Sequence, residues 1–243
     1  MSVHTRPTVA DRVRSVDGFL RRVRDLKESA YVHLYRGQAK DEKLLPKLFR
    51  QGDARNVRNL EDRLLFRFKN DSPYLLPSKP DTDWDWLSLG QHFGLPTRLL
   101  DWTGNPLTAL FFALDASVHP SPTVYIYHGR ETQIIKQDDK KKIRPFDIDQ
   151  TTLLQPSWHS PRVAAQAGWH TVHRVHKNKA GAKIFLPFDN MEIHQKRLHK
   201  VDIEPLAVEH LRTELAEMGI RHATVYGDLH MVCISIARGL GFK

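Results

Sequence analysis

The chain has 243 residues, 40% of them apolar, with five tryptophans and one cysteine. That length can bury a sizeable core, and the composition excludes a disordered chain. Lys and Arg number 37 against 28 Asp and Glu, a net charge of +9. Such an excess favours nucleotide phosphates or nucleic acid as partners without bearing on the fold. The lone Cys233 rules out an internal disulfide and sits in an apolar run, where a packed core thiol is expected. Neither an apolar signal-peptide core nor a run of about 18 apolar residues occurs, so the reading is a cytoplasmic protein with no membrane association.

Val13, Val16, Phe19, Leu20, Val23 and Leu26 recur at helical spacing and predict an amphipathic helix within Asp11 to Ala30. Tyr31 to Tyr35 alternates as a strand and runs directly into Arg36-Gly37-Gln38. A glycine there permits a close backbone approach or a turn. Arg36 reads equally as a surface arginine or as an anion-binding side chain at a strand end. Asn59 to Lys69 predicts a helix with Glu61 in its first turn, where a carboxylate suits the helix dipole. Asp71 to Asp83 holds three prolines and reads as a loop, and Trp84 to Gln91 as a short helix.

The densest chemistry follows. Gln91 to Thr103 crowds His92, Arg98, Asp101 and Trp102 around a Gly-Leu-Pro turn, directly before the apolar segment Pro106 to Leu114. From Leu99 onward this stretch reads as a helix start with core support, capped by Thr103. A purely structural reading would pair Arg98 with Asp101 and bury the Trp102 ring, and a ligand-binding reading stands beside it. The half from Gln91 to Arg98 is where a ligand is worth seeking.

Further strands are predicted at Thr123 to His128, Lys183 to Pro187, Leu198 to Ile203 and His222 to Tyr226. Lys136 to Arg144 reads as a solvated loop. Helices are predicted from Leu206 to Met218, ended by Gly219, and from Leu229 to Arg238. With no repeat and no linker, the pattern implies one α+β domain: a central, mostly antiparallel sheet flanked by helices. His170, His173 and His176 recur every three residues, but no HExxH motif or cysteine pair accompanies them, so no metal site is predicted. The phosphate-cradling Gly-rich loops and the Gly-x-Ser-x-Gly elbow are absent too.

Tyr35-Arg36-Gly37, the helix with Glu61, and the block GQHFGLPTRLLDWTGNPLTALFFAL together resemble the FRG domain family, named for its (Phe/Tyr)-Arg-Gly motif. Two later blocks are similar to family patterns: PRVAAQAGWHTVH, and GIRHATVYGDL with Tyr226-Gly227 in place of Phe-Pro. The resemblance divides the chain into a helical segment at 1–30 and an FRG domain at 31–243. It implies a toxin-like or phage-defence effector. The strand-borne Tyr-Arg-Gly also resembles the first-strand arginine of ADP-ribosyltransferases, which implies a fold of that type acting on NAD. On that implication Tyr35, Arg36, Gly37, Gln91, Trp102 and Gln166 would bind the dinucleotide. His92, Arg98 and Asp101 would serve catalysis, with Glu204 or Asp228 as the late carboxylate, because no Glu-x-Glu or Gln-x-Glu is present. Two other readings stay open: a nuclease or nucleic-acid-binding effector, and a non-catalytic binding domain. The identity of a protein target or cognate antitoxin is not written in the sequence.

Overall fold

In the computed structural model, the structure describes residues 12–28, 32–115, 121–157 and 161–241. Among these, six strands form one sheet: β1 (Val32–Gln38), β2 (Leu99–Thr103), β3 (Thr123–Gly129), β4 (Thr152–Leu154), β5 (Gly168–Val172) and β8 (Leu198–Asp202). Their order is β4-β5-β2-β1-β3-β8, and every pairing is antiparallel. A separate hairpin joins β6 (His176–Lys177) to β7 (Lys183–Ile184). The longer helices are α1 (Val16–Asp25), α3 (Val57–Asp71), α4 (Asp83–His92), α5 (Pro106–Leu114), α9 (Val208–Glu217) and α11 (Leu229–Gly239). Shorter ones are α2 (Lys47–Gln51), α6 (Gln137–Lys140), α7 (Pro161–Ala165), α8 (Glu192–Gln195) and α10 (His222–Tyr226). The α+β class expected from the sequence is what the chain adopts.

Strand alternation divides the core in two. Tyr35, Val124, Ile126 and Val201 pack with α1, α5 and α9 on one face. Leu34, Leu100, Trp102, Tyr125, Tyr127 and Phe188 fill the other. Val16, Phe19 and Val23 of α1 belong to the first cluster, so the N-terminal helix shares the domain's core. Ser15 caps this helix by accepting the Gly18 N–H at 3.1 Å.

Gly37 accounts for the close fit of α5 on β1. A Cβ at that position would lie 1.8 Å from the Ala109 carbonyl oxygen and 2.5 Å from the Ala113 nitrogen. Any side chain there would enter the backbone of α5, so the motif's glycine has a packing reason.

Four sequence expectations are corrected here. Leu99–Thr103 is a strand, and the helix begins only at Pro106, with Asn105 Oδ1 accepting the Leu107 N–H at 2.9 Å. His222–Tyr226 is helical: Thr224 Oγ1 accepts the Arg221 N–H, and Gly227 at φ 61° ends the turn. Cys233 is exposed, because the surface of α11 carries it outward. Lys140 is buried at the end of α6, with Nζ 3.4 Å from the Gln155 carbonyl, and is not part of a solvated run.

Candidate functional site

The residues around Asp101 are assembled by two elements that meet at β2. Helix α4 brings Ser88, Gln91 and His92, and β5 brings His170, which lies directly opposite Asp101 in the antiparallel register. The Gly-Leu-Pro turn closes between them. Gly94 takes φ 89°, Leu95 N–H donates to the Gly90 carbonyl at 2.9 Å, and the chain reverses to place Thr97 against Gln91.

Thr97 Oγ1 donates to Gln91 Oε1 at 2.6 Å, which fixes the amide with its Nε2 toward Asp101. That nitrogen lies 3.1 Å from both carboxylate oxygens. On the opposite side His170 Nδ1 stands 3.2 Å from Asp101 Oδ1, and its Nε2 lies 3.2 Å from Ser88 Oγ. The His170–Asp101 approach is close but poorly aligned for an N–H bond. Partial desolvation by the cleft walls pushes the Asp101 carboxyl up, but His170, the Arg36 charge and the Gln91 bond outweigh it and hold it down at about 2. Asp101 is thus a carboxylate at any physiological pH, and its side chain is 59% exposed into the cleft.

Gln91, His92, Asp101, Gln166 and His170 line one partly enclosed pocket of about 120 Å³. Gln166 Nε2 is buried there with no hydrogen-bond partner among the described residues. A buried amide donor left unpaired is costly unless something else accepts from it. The contacts Ser88–His170–Asp101 follow the order of a nucleophile relay. Ser88 lies within α4 and is 8% exposed, so its own N–H is committed to the helix and offers nothing to an oxyanion. Here the serine positions the imidazole.

The other expected site residues are distributed differently. Arg98 does not pair with Asp101. It is 2% exposed and makes a forked bond to Glu61, Nε–Oε1 at 2.6 Å and Nη2–Oε2 at 2.5 Å. Glu61 is likewise buried at 3%, so its role is this pair and not the helix dipole. Burial pushes its carboxyl up against the opposing pull of Arg98. Strand alternation explains the outcome: Arg98 and Asp101, three residues apart, cannot share a face of β2 and its approach. Arg36 Nη1 donates to the Asp101 carbonyl at 2.7 Å, bridging β1 to β2 where the two strands share only the Tyr35–Thr103 pairing. Tyr35 is 5% exposed within the core. Trp102 is 3% exposed, packs against Tyr127 and Phe188, and donates to Thr171 Oγ1 at 3.0 Å. Its ring is committed to the core and touches the pocket only as wall.

Neither late carboxylate reaches the pocket. Asp228 Oδ1 accepts the Met231 N–H at 2.7 Å at the start of α11, and Glu204 N–H donates to the Val13 carbonyl at 2.9 Å. Thr103 Oγ1 donates to the Gln166 carbonyl at 2.5 Å, holding the segment after α7 against β2.

His170, Ser88 and Thr97 were missed by sequence reasoning. A strand reading of Gly168–Val172 would have placed His170 on one face, but only the register with β2 sets it opposite Asp101. Of the 170/173/176 histidines, His173 is fully buried, with Nε2 hydrogen-bonded to Thr171 Oγ1 at 2.9 Å. Burial, with the His194 and Arg98 charges, pulls it down to about 3.

An α+β domain with a cleft at β2–β5, built on a Tyr-Arg-Gly strand and a Gly-Leu-Pro turn, is the class these observations define. Residues 32–121 match the family model of the FRG domain, and the chain carries an FRG domain. The match runs from β1 past α5 and so contains Arg36, Glu61, Gln91 and Asp101, whereas His170 and Gln166 lie beyond it. No curated protein and no solved structure matches the chain.

Proposed function

We propose that this FRG domain acts on NAD at the Asp101 pocket, by NAD cleavage or ADP-ribosyl transfer, in a toxin-like or phage-defence role. One observation carries the reading: a permanently ionised carboxylate, held by an oriented amide and an imidazole, faces a partly enclosed pocket. Departure of nicotinamide breaks the C1–N bond heterolytically. The electron pair goes to the ring nitrogen, and C1 of the ribose becomes oxocarbenium-like. A fixed anion beside that carbon stabilises the developing positive charge. Water, or a target nucleophile, then bonds to C1 and gives its proton to His92 or His170.

The pocket volume limits how NAD would bind. About 120 Å³ lies below the roughly 300–1,000 Å³ of pockets that engulf a drug-sized ligand. It accommodates the ribosyl or nicotinamide end, leaving the adenylate outside the rim. Arg36 is not the phosphate clamp in this reading, since its guanidinium bridges strands. The buried Gln166 amide is the better donor for a ribose hydroxyl or the carboxamide.

The test is incubation with NAD labelled on the nicotinamide, beside parallel RNA and DNA incubations, for wild type, Asp101→Asn and His92→Ala. Nicotinamide release that falls at least about 100-fold in Asp101→Asn supports the proposal. Folded protein that neither binds nor turns over NAD overturns it. Cutting of nucleic acid that is lost in His92→Ala would favour the nuclease reading, whose support is the +9 charge.

A further inference from the structure

A second group of functional side chains lies away from the Asp101 pocket, where the end of α1 meets β1, β3 and β8. His33 and His128 face each other across β1 and β3, with ring centroids 5.0 Å apart. His199 of β8 lies beside His128 at the same 5.0 Å spacing. Alternation puts all three rings on the sheet face that carries Tyr35, Ile126 and Val201. Glu28, just beyond α1, brings Oε1 to 3.9 Å from His128 Nδ1. Potential ligand atoms of Glu28, His128 and His199 all lie within 4.8 Å of one another.

The hydrogen bonding is the informative part. His128 is fully buried, and neither of its ring nitrogens has a partner among the described residues. His33 Nδ1 and His199 Nε2 are buried and unpartnered as well. A core histidine ordinarily satisfies at least one nitrogen, because an unpaired buried polar atom forfeits its water. Two such rings, His128 and His199, meeting one carboxylate form a donor set that a cation completes.

We propose that Glu28, His128 and His199 bind a divalent transition-metal ion, zinc foremost, with solvent completing its coordination. Two imidazoles and one carboxylate match the ligand preference of zinc, whose bonds of about 2.0–2.2 Å require these side chains to close in by about 1 Å. Such an ion would tie the chain after α1 to β3 and β8. Because the Glu28 side chain is 49% exposed, it could enter from solvent. Neither ligand spacing nor motif exposes this group in the sequence, since its members come from three separate segments.

The full-length protein, stripped with a chelator and dialysed, is titrated with zinc chloride by calorimetry and melted with and without zinc. Glu28→Gln and His199→Ala are measured beside it, with His230→Ala, an exposed histidine outside the group, as control. The expected result is one zinc per chain and a raised Tm, with affinity at least about tenfold weaker in both ligand variants and unchanged in the control. No stoichiometric zinc binding, or equal affinity in Glu28→Gln and wild type, overturns the proposal. If His199→Ala fails to fold, Glu28→Gln alone decides, since an exposed carboxylate is replaced there by its isostere.

Discussion

Gly37→Ala tests whether the Tyr-Arg-Gly motif serves packing or a ligand. The new methyl would lie 1.8 Å from the Ala109 carbonyl oxygen, about 1.2 Å short of the 3.0 Å below which real Cβ atoms are essentially never found. It would also sit 2.5 Å from the Ala113 nitrogen, within the backbone of a helix whose Ala109, Leu110 and Ala113 are fully buried. No side-chain rotation relieves such a contact, so α5 must move away from β1. Overpacking of this kind costs about 1–3 kcal/mol and sometimes more, and the obstacle here is backbone, which argues for the upper end. For a chain of this size about 3 kcal/mol lowers Tm by roughly 6–12 °C. Urea unfolding and thermal melts followed by circular dichroism provide the measurement, with Arg36→Lys as a neighbouring control. Gly37→Ala within about 1 kcal/mol of wild type would refute the packing account.

The buried Arg98–Glu61 pair gives a second outcome: Arg98→Met leaves Glu61 charged and unpaired and should cost about 3–5 kcal/mol, much of it regained in the Glu61→Leu/Arg98→Met double variant. A urea-melt double-mutant cycle checks this, and equal losses in single and double variants would contradict it. Burial holds His128 and His194 down to about 4 and His173 to about 3, against an ordinary 6.5. The unfolded chain therefore takes up more protons in that window, and stability should fall as pH drops from 6.5 toward 4. His173→Phe should flatten this slope in pH-dependent melts; an unchanged slope would count against a neutral buried His173. Asp101 has the opposite chemistry and the same direction. Its depressed carboxyl contributes stability that is full above about 4 and lost as pH falls toward 2, so Asp101→Asn should remove acid sensitivity only in that lower window.

Strands β1, β3 and β8 and the long helices were legible because burial imposes periods of 2 and 3.6 on the chain, whereas β2, β4 and β5 were not. Short elements between glycines were not. His222–Tyr226 has the β-branched and aromatic character of a strand, but Gly219 and Gly227 at positive φ leave room for little beyond one helical turn. Leu99–Thr103 is only five residues long, and its apolar continuation into α5 hid the boundary at Gly104-Asn105-Pro106. At the site, Gln91 and Asp101 were legible because the turn that unites them is local. Asp101's role as the anion of the pocket was obscured by Arg98, whose proximity in sequence suggested a pair that strand alternation forbids. His170 and Gln166 depend on long-range register, and Glu61 on a pairing with Arg98 across 37 residues of sequence, which local patterns do not encode.

The central claim is that Asp101 is the anion around which the site works. Nicotinamide release from NAD, followed by chromatography for wild type and Asp101→Asn with matched melting curves, tests it most directly. The account predicts release by wild type and at least about a 100-fold loss in the variant at unchanged fold. Equal release by both proteins, or none by well-folded wild type, would contradict it.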